Sequence, residues 1–427
     1  MAGKRGKELR WHKLDNTAKI YPVITNNHLS GVYRISATLF EDIDPGLLKQ
    51  TLNRILPWFE GFQVRLRRGV FWYYFETNKK EPMIKEETAY PCRYMEPYAN
   101  NQFLFRVSYY HKRINLEVFH ALTDGYGAIN FMRELVCQYI RLAHPQNFAG
   151  QEEPLPATSF NMEDSYVKYY RQKKVSGYSH IHAYQLRGEV LPAAMLGVIH
   201  GYVKVEEIKR VSKGYGVSIT QYLTAALIWS IYKEYLHNQP SRMPIRINVP
   251  VNLRSMFPST TTRNFFAVIF AAMMVSKEDY SFEEILWLVK EEFEKYLTEE
   301  HLSELISYNV SNEQNIFIRL IPLFVKNLGV KLIYRRSSRA FTATVSNCGA
   351  IQVGSEYEPY IERFHMIMGA SRKQPLKCVV CSYKDELVFT FSSVFTDSGL
   401  ERVFCKRLTL DGIQVTIESN GVYDEKM

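Results

Sequence analysis

The feature that most constrains this chain is one junction between two periodicities. Residues 103–110 and 114–119 read as a hairpin turning at His111, Lys112 and Arg113, and its second strand runs straight into His120. After Gly125 and Gly127 the period changes: Ile129, Met132, Leu135, Val136, Tyr139 and Ile140 fall on one helical face. The segment His-Ala-Leu-Thr-Asp-Gly at residues 120–125 therefore lies on a turn from strand to helix. In that position His120 can project into a cleft, and the glycines permit tight backbone geometry.

The alternation extends along the chain. Residues 31–40 read as a strand, and Asp44 and Pro45 then open a helix whose apolar stripe is Leu48, Leu52, Ile55 and Leu56. Residues 62–76 read as two strands around a turn at Arg68 and Gly69. Residues 145–165 lose periodicity, carry Pro145, Pro154 and Pro156, and read as a surface linker. Beyond it, 196–205, 243–251 and 265–275 read as strands. Ser218 and Gln221 form a capping-box pattern ahead of an apolar helix over 222–235. Residues 282–297 and 316–330 read as helical, and 342–422 mainly as strands with a helix near 360–368. Strands and helices alternating in both halves predict a mixed α/β protein. At 427 residues the chain exceeds the size at which one core stops growing. We expect two subdomains, 1–185 and 186–427.

Several function classes are excluded. The formal net charge is +9, but clusters such as Arg335 and Arg336 are short and scattered. No zinc-finger spacing or aromatic RNA-binding signature accompanies them, so no nucleic-acid partner is expected; a phosphorylated ligand or an acidic carrier protein fits the charge equally well. The six cysteines imply no disulfide framework. Cys378 and Cys381 have the spacing of a metal half-site, yet they open an apolar alternating run, residues 378–391, that reads as a strand pair with ordinary buried thiols. His180 and His182 lack a convincing third ligand, and no metal is expected. The longest apolar run, 265–275, is about half the ~20 residues a membrane helix needs, and no secretory signal opens the chain. A soluble, cytoplasmic protein is the expectation. Neither a Gly-x-Ser-x-Gly elbow nor a phosphate loop is present.

A histidine at such a turn suits one kind of chemistry. In a thioester the acyl group is already activated, and what is missing is a stronger nucleophile on the acceptor. A base that titrates near neutral pH supplies it by taking the proton of an alcohol or amine.

The segment resembles the His-x-x-x-Asp-Gly motif of the CoA-dependent acyltransferase superfamily, which includes chloramphenicol acetyltransferases, peptide-synthetase condensation domains, plant BAHD enzymes and bacterial alcohol acetyltransferase-like proteins. Further stretches extend the resemblance in order along the chain: Leu14-Asp15-Asn16 with Ile20-Tyr21-Pro22, Asn252-Leu253-Arg254, Arg263-Asn264-Phe265-Phe266, and Ser346-Asn347-Cys348-Gly349. The condensation-domain pattern often has two adjacent histidines; here the first is Phe119 and His120 matches the catalytic second. The Asp-Phe-Gly-Trp-Gly segment of plant enzymes is absent.

The resemblance implies two chloramphenicol-acetyltransferase-like subdomains in a V, with the site in a tunnel between them. It implies His120 as general base, Asp124 and Gly125 as structural support with Arg254 paired to Asp124, and Ser346 and Asn347 as candidate oxyanion or acyl-site groups. The implied reaction moves an acyl group from acyl-CoA or an acyl carrier protein to an alcohol or amine, with no permanently bound cofactor. Members of this kind are often monomers, which sets that expectation. Two other readings stand beside it: a non-catalytic thioester- or lipid-binding protein on the same fold, and a metal-dependent hydrolase using His120, Asp124, His180 and His182.

Overall fold

Strand Arg113–Phe119 is the centre of a five-stranded sheet. Val32–Leu39 pairs antiparallel with it on one side and Phe105–Tyr110 on the other. The structure, a computed structural model, describes residues 10–96, 98–150, 163–171 and 181–423. The outer strand beyond Val32–Leu39 comes from far along the chain: Ile361–Met368 pairs antiparallel with it, Phe364 opposite Ala37. Helices Pro45–Ile55 and Gly125–Ala143 bring Leu48, Leu52, Phe131 and Leu135 into one core with Ile35, Leu116 and Val118.

A seven-stranded sheet dominates the second half. Its order is Phe266–Met273, Ile245–Asn252, Ala343–Ala350, Leu376–Tyr383, Glu386–Ser393, Gly197–Lys204 and Thr416–Ser419. Ala343–Ala350 runs parallel to both its neighbours, and the other pairs are antiparallel. Helices Ile219–Glu234, Phe282–Tyr296 and Gly399–Leu410 cover one face. From the other face Tyr202, Val379, Cys381 and Val388 join the core of the five-stranded sheet. Burial on both faces explains the apolar runs within the inner strands Leu376–Tyr383 and Glu386–Ser393. A small sheet of Trp11–Lys13, Tyr73–Thr77 and Val64–Arg68 completes the described strands.

Local signals placed the caps well. Asp44 accepts from the amides of Gly46 and Leu47, and the Ser218–Gln221 capping box forms. Three readings need correction. Residues 360–368 form the strand Ile361–Met368 and not a helix, because the free edge of Val32–Leu39 supplies its backbone partners. Within the tail read mainly as strands lies the helix Gly399–Leu410, which buries Leu400, Phe404 and Leu408 at four-residue spacing. Residues 316–330 form parts of two helices, Ile316–Leu320 and Leu323–Ser337, separated at Pro322, whose ring cannot continue a helix. Of the expected linker, residues 151–162 lie outside the described residues.

Candidate active site

Thr123 and Asp124 complete the turn between strand Arg113–Phe119 and helix Gly125–Ala143, and Tyr33 holds it from the neighbouring strand. Its hydroxyl sits 3.0 Å from the Thr123 carbonyl and 2.9 Å from that of Asp124. Gly127 has a specific reason to be glycine: a Cβ there would overlap the Thr123 hydroxyl and the Thr262 carbonyl. Gly125 faces the other half, where a Cβ would lie 3.5 Å from the sulfur of Cys348.

Asp124 is buried and fully engaged. Its Oδ1 accepts from the Gly127 amide at 3.1 Å, which makes it the helix N-cap. Its Oδ2 accepts from the Phe265 amide at 2.9 Å and from Nη1 of Arg254 at 2.8 Å. Arg254 spends its other donors on the carbonyls of Thr261 and Arg263 and lies over the Tyr126 ring. A buried carboxylate and guanidinium with this many partners tie the motif turn to the second half of the chain.

His120 directly follows its strand, with its amide donating to the Gly31 carbonyl at 2.9 Å. The ring stacks on Tyr21, centroids 4.6 Å apart and planes 9° from parallel, and it meets Tyr33 edge-on and Phe266 at a tilt. Nδ1 is 3.1 Å from Oδ1 of Asn264. Asn264 in turn donates from Nδ2 to Oδ2 of Asp15 at 3.2 Å, and Asp15 Oδ1 accepts from the Ala18 amide at 2.7 Å. Because the amide NH2 of Asn264 faces a carboxylate, its oxygen faces the imidazole. Nδ1 of His120 then carries the hydrogen, and Nε2 keeps its lone pair. Burial lowers the pKa of His120, against the opposing pull of its own carbonyl, Asp124 and Asn264, so the ring is neutral at neutral pH. Burial raises Asp15 to about 6.

The Ser346 and Asn347 pair divides. Ser346 has the Cys348 sulfur, 4.0 Å away, as its hydroxyl's neighbour, whereas the Asn347 side chain is taken up by Thr220 at 3.0 Å and by the amide of Gly349. Lys377, on the adjacent strand, contributes a positive charge that also disfavours protonation of His120; burial pushes its own amine down to about 8.

His182 is exposed, and His180 lies outside the described residues. No group of three metal-ligating side chains occurs among the described residues. Cys378 and Cys381 belong to cores on opposite faces of their sheet, as residues three apart on a strand must, so the spacing does not bring the thiols together.

Asp15 and Asn264 lie in segments that carry the family resemblance, but no role for either follows from the sequence. A signal was present, since an aspartate one residue after a core leucine invites the question of what satisfies it.

No family model and no curated relative matches the chain. Solved structures do. The first condensation domain of the CDA synthetase superposes with a TM-score of 0.62 at 12% identity, covering 95% of this chain and 99% of that one. The trichothecene 15-O-acetyltransferase of Fusarium sporotrichioides gives 0.62 at 10%, covering 96% of each chain. A protein of F. graminearum complexed with coenzyme A and T-2 mycotoxin gives 0.64 at 12%, covering 95% and 99%. The chain has the fold of the CoA-dependent acyltransferases and condensation domains. Within this acyltransferase fold, the His120 turn lies where the two halves of the chain meet, with Tyr21 and Tyr33 on one side and Asn264 and Phe266 on the other.

Proposed function

We propose that the protein is an acyltransferase that moves an acyl group from a thioester, acyl-CoA or an acyl carrier protein, directly to an alcohol or amine. The observation that carries this reading is the chain of hydrogen bonds from Asp15 through Asn264 to His120. It holds the imidazole as the tautomer whose Nε2 can accept a proton.

In this mechanism Nε2 takes the proton of the acceptor as its oxygen or nitrogen attacks the thioester carbonyl. The tetrahedral intermediate then collapses, the carbon–sulfur bond breaks, and the imidazolium returns its proton to the departing thiolate. The products are an ester or amide and a free thiol, with no covalent enzyme intermediate. Ser346 is the candidate donor to the oxyanion. Asp124, Gly125 and Arg254 hold the turn that carries His120. The chain works as two halves divided near residue 185, as a cytoplasmic monomer, with an acyl thioester and a small acceptor as its substrates and no resident cofactor.

The test is thiol release from acetyl-CoA and longer acyl-CoAs with a panel of alcohols and amines, for the wild type and His120→Ala in parallel. Acceptor-dependent release that disappears in a folded His120→Ala protein supports the reading. Equal release by both proteins would sink the mechanism. No release with acyl-CoAs, followed by none with acylated carrier protein, would remove the enzyme reading altogether.

A further inference from the structure

The helix Leu323–Ser337 is turned inside out for a surface helix. An exposed helix ordinarily hides its apolar stripe and shows its charges. Here Phe324, Leu328 and Leu332, at four-residue spacing and so on one face, are 67%, 62% and 58% exposed, and Ile333 beside them is exposed as well. Next to the start of this helix lies the tip of the hairpin formed by Val64–Arg68 and Tyr73–Thr77. The Leu323 amide donates to the Val70 carbonyl at 2.9 Å, and Lys326 donates to the carbonyl of Phe71 at 3.0 Å. Val70 and Trp72 at that tip are also exposed. The two elements place their exposed apolar side chains side by side, a run of neighbours rather than a single scattered exposed leucine.

Its charge is one-sided. Residues 315–339 contain six basic side chains and no acidic one. Lys331, Arg335 and Arg336 are exposed in the last turns of the helix, within helical reach of Leu328 and Leu332. No helix among the described residues is long and apolar enough to cross a membrane.

We infer that the outer face of Leu323–Ser337, with the hairpin tip beside it, docks the protein peripherally on an anionic lipid surface. An apolar face bordered by cations is what a bilayer interface accommodates: the side chains enter the acyl boundary, lysine and arginine meet the headgroup phosphates, and tryptophan sits between. A second copy of the chain is a poorer occupant, because a two-fold pairing through this face would bring like-charged rims together. The helix also packs on Tyr21–Ile24, whose Tyr21 stacks on His120, so its inner side is one short helix away from the candidate site while its apolar face points outward. The inference does not rest on the acyl-transfer reading, and acyl transfer plays no part in its test.

The test is co-sedimentation of the full chain with phosphatidylcholine vesicles, with and without phosphatidylglycerol. The wild type is expected to sediment with the phosphatidylglycerol vesicles, to do so weakly with phosphatidylcholine alone, and to be released by salt. Neutralising Lys331, Arg335 and Arg336 to glutamine should weaken binding roughly 100-fold, at about 1 kcal/mol per basic residue. The pair Leu328→Gln and Leu332→Gln should abolish binding while the far-ultraviolet circular dichroism and thermal melt stay those of the wild type; Phe324→Ser is the substitute if that pair disturbs folding. A wild type that stays in the supernatant with both vesicles would overturn the inference, as would apolar-face variants that bind like wild type. A wild-type dimer dissociated by Leu328→Gln would overturn it too, in favour of a second copy on this face. Failure here leaves the thiol-release test untouched, and the reverse also holds.

Discussion

Two places in this molecule hold wholly or partly buried imidazoles, and they are built differently. His200 and His365 sit inside their strands, one from each large sheet, with ring centroids 4.5 Å apart. Thr390 meets Nδ1 of His200 at 2.8 Å, and Tyr202, which donates to Glu418, meets Nε2 of His365 at 2.9 Å. Burial pushes His200 down to about 4 and His365 well below its usual range. His120 is partly buried and also lowered, but it follows the end of its strand, packs on aromatic rings, and is held through Nδ1 by a side-chain amide. His365 is enclosed by its neighbours and His200 is partly covered with its Nδ1 engaged by Thr390, whereas a histidine beyond the last paired residue can offer a ring nitrogen to a substrate. A lowered pKa alone would not distinguish them.

The largest expected effect tests that contrast directly. His120→Ala should reduce kcat/KM for acyl transfer by about 10²- to 10⁴-fold with an unchanged thermal melt. His200→Ala should do the reverse, lowering the melting temperature while keeping kcat/KM, and a loss of activity there would break the comparison. Next is Asp124→Ala, which strands Arg254 in a buried site and should cost on the order of 3–5 kcal/mol in urea unfolding.

The third prediction sets the two regions against each other in pH. His200 and His365 are depressed in the folded state, so unfolded chains bind more protons below about pH 6.5. Their contribution to stability is present above that pH and is lost as the pH falls toward 4. Asp15 is raised from 3.8 to about 6, so the folded state holds its proton more tightly; its contribution grows as the pH falls through 6 and is complete below 3.8. That shift corresponds to on the order of 3 kcal/mol. Urea midpoints across this range should therefore steepen in Asp15→Asn and flatten in His200→Gln with His365→Gln. Identical profiles for all three proteins would show that neither region titrates as described.

The smallest effect belongs to Asn264→Ala. It should lower kcat by about 10-fold, near 1.4 kcal/mol, through loss of the preferred tautomer, and should shift the acid limb of the kcat profile; a change in KM alone would point to packing instead.

Much of the local architecture was legible in the residues. The strand-to-helix turn at His120, the cap at Asp44 and the capping box at Ser218 all appear where expected; the ion pair of Asp124 with Arg254 was an implication of the family resemblance and not of local pattern. The helix Gly399–Leu410 is marked in the sequence by the four-residue spacing of Leu400, Phe404 and Leu408, a signal masked by the strands around it. Strand Ile361–Met368 was not readable, since what makes it a strand is the edge of Val32–Leu39, more than 300 residues earlier.

By itself the sequence determined what depends on neighbours within a few residues: helix and strand periods and helix starts. The tertiary structure alone decided which ring nitrogen of His120 is held, because Asn264 is 144 residues away and Asp15 lies 249 residues before Asn264. It also decided that the apolar stripe of Leu323–Ser337 faces outward, since a helix period defines a stripe but not what lies against it. Hydrogen-bond periodicity is a property of adjacent residues, whereas partnership and burial belong to the folded chain.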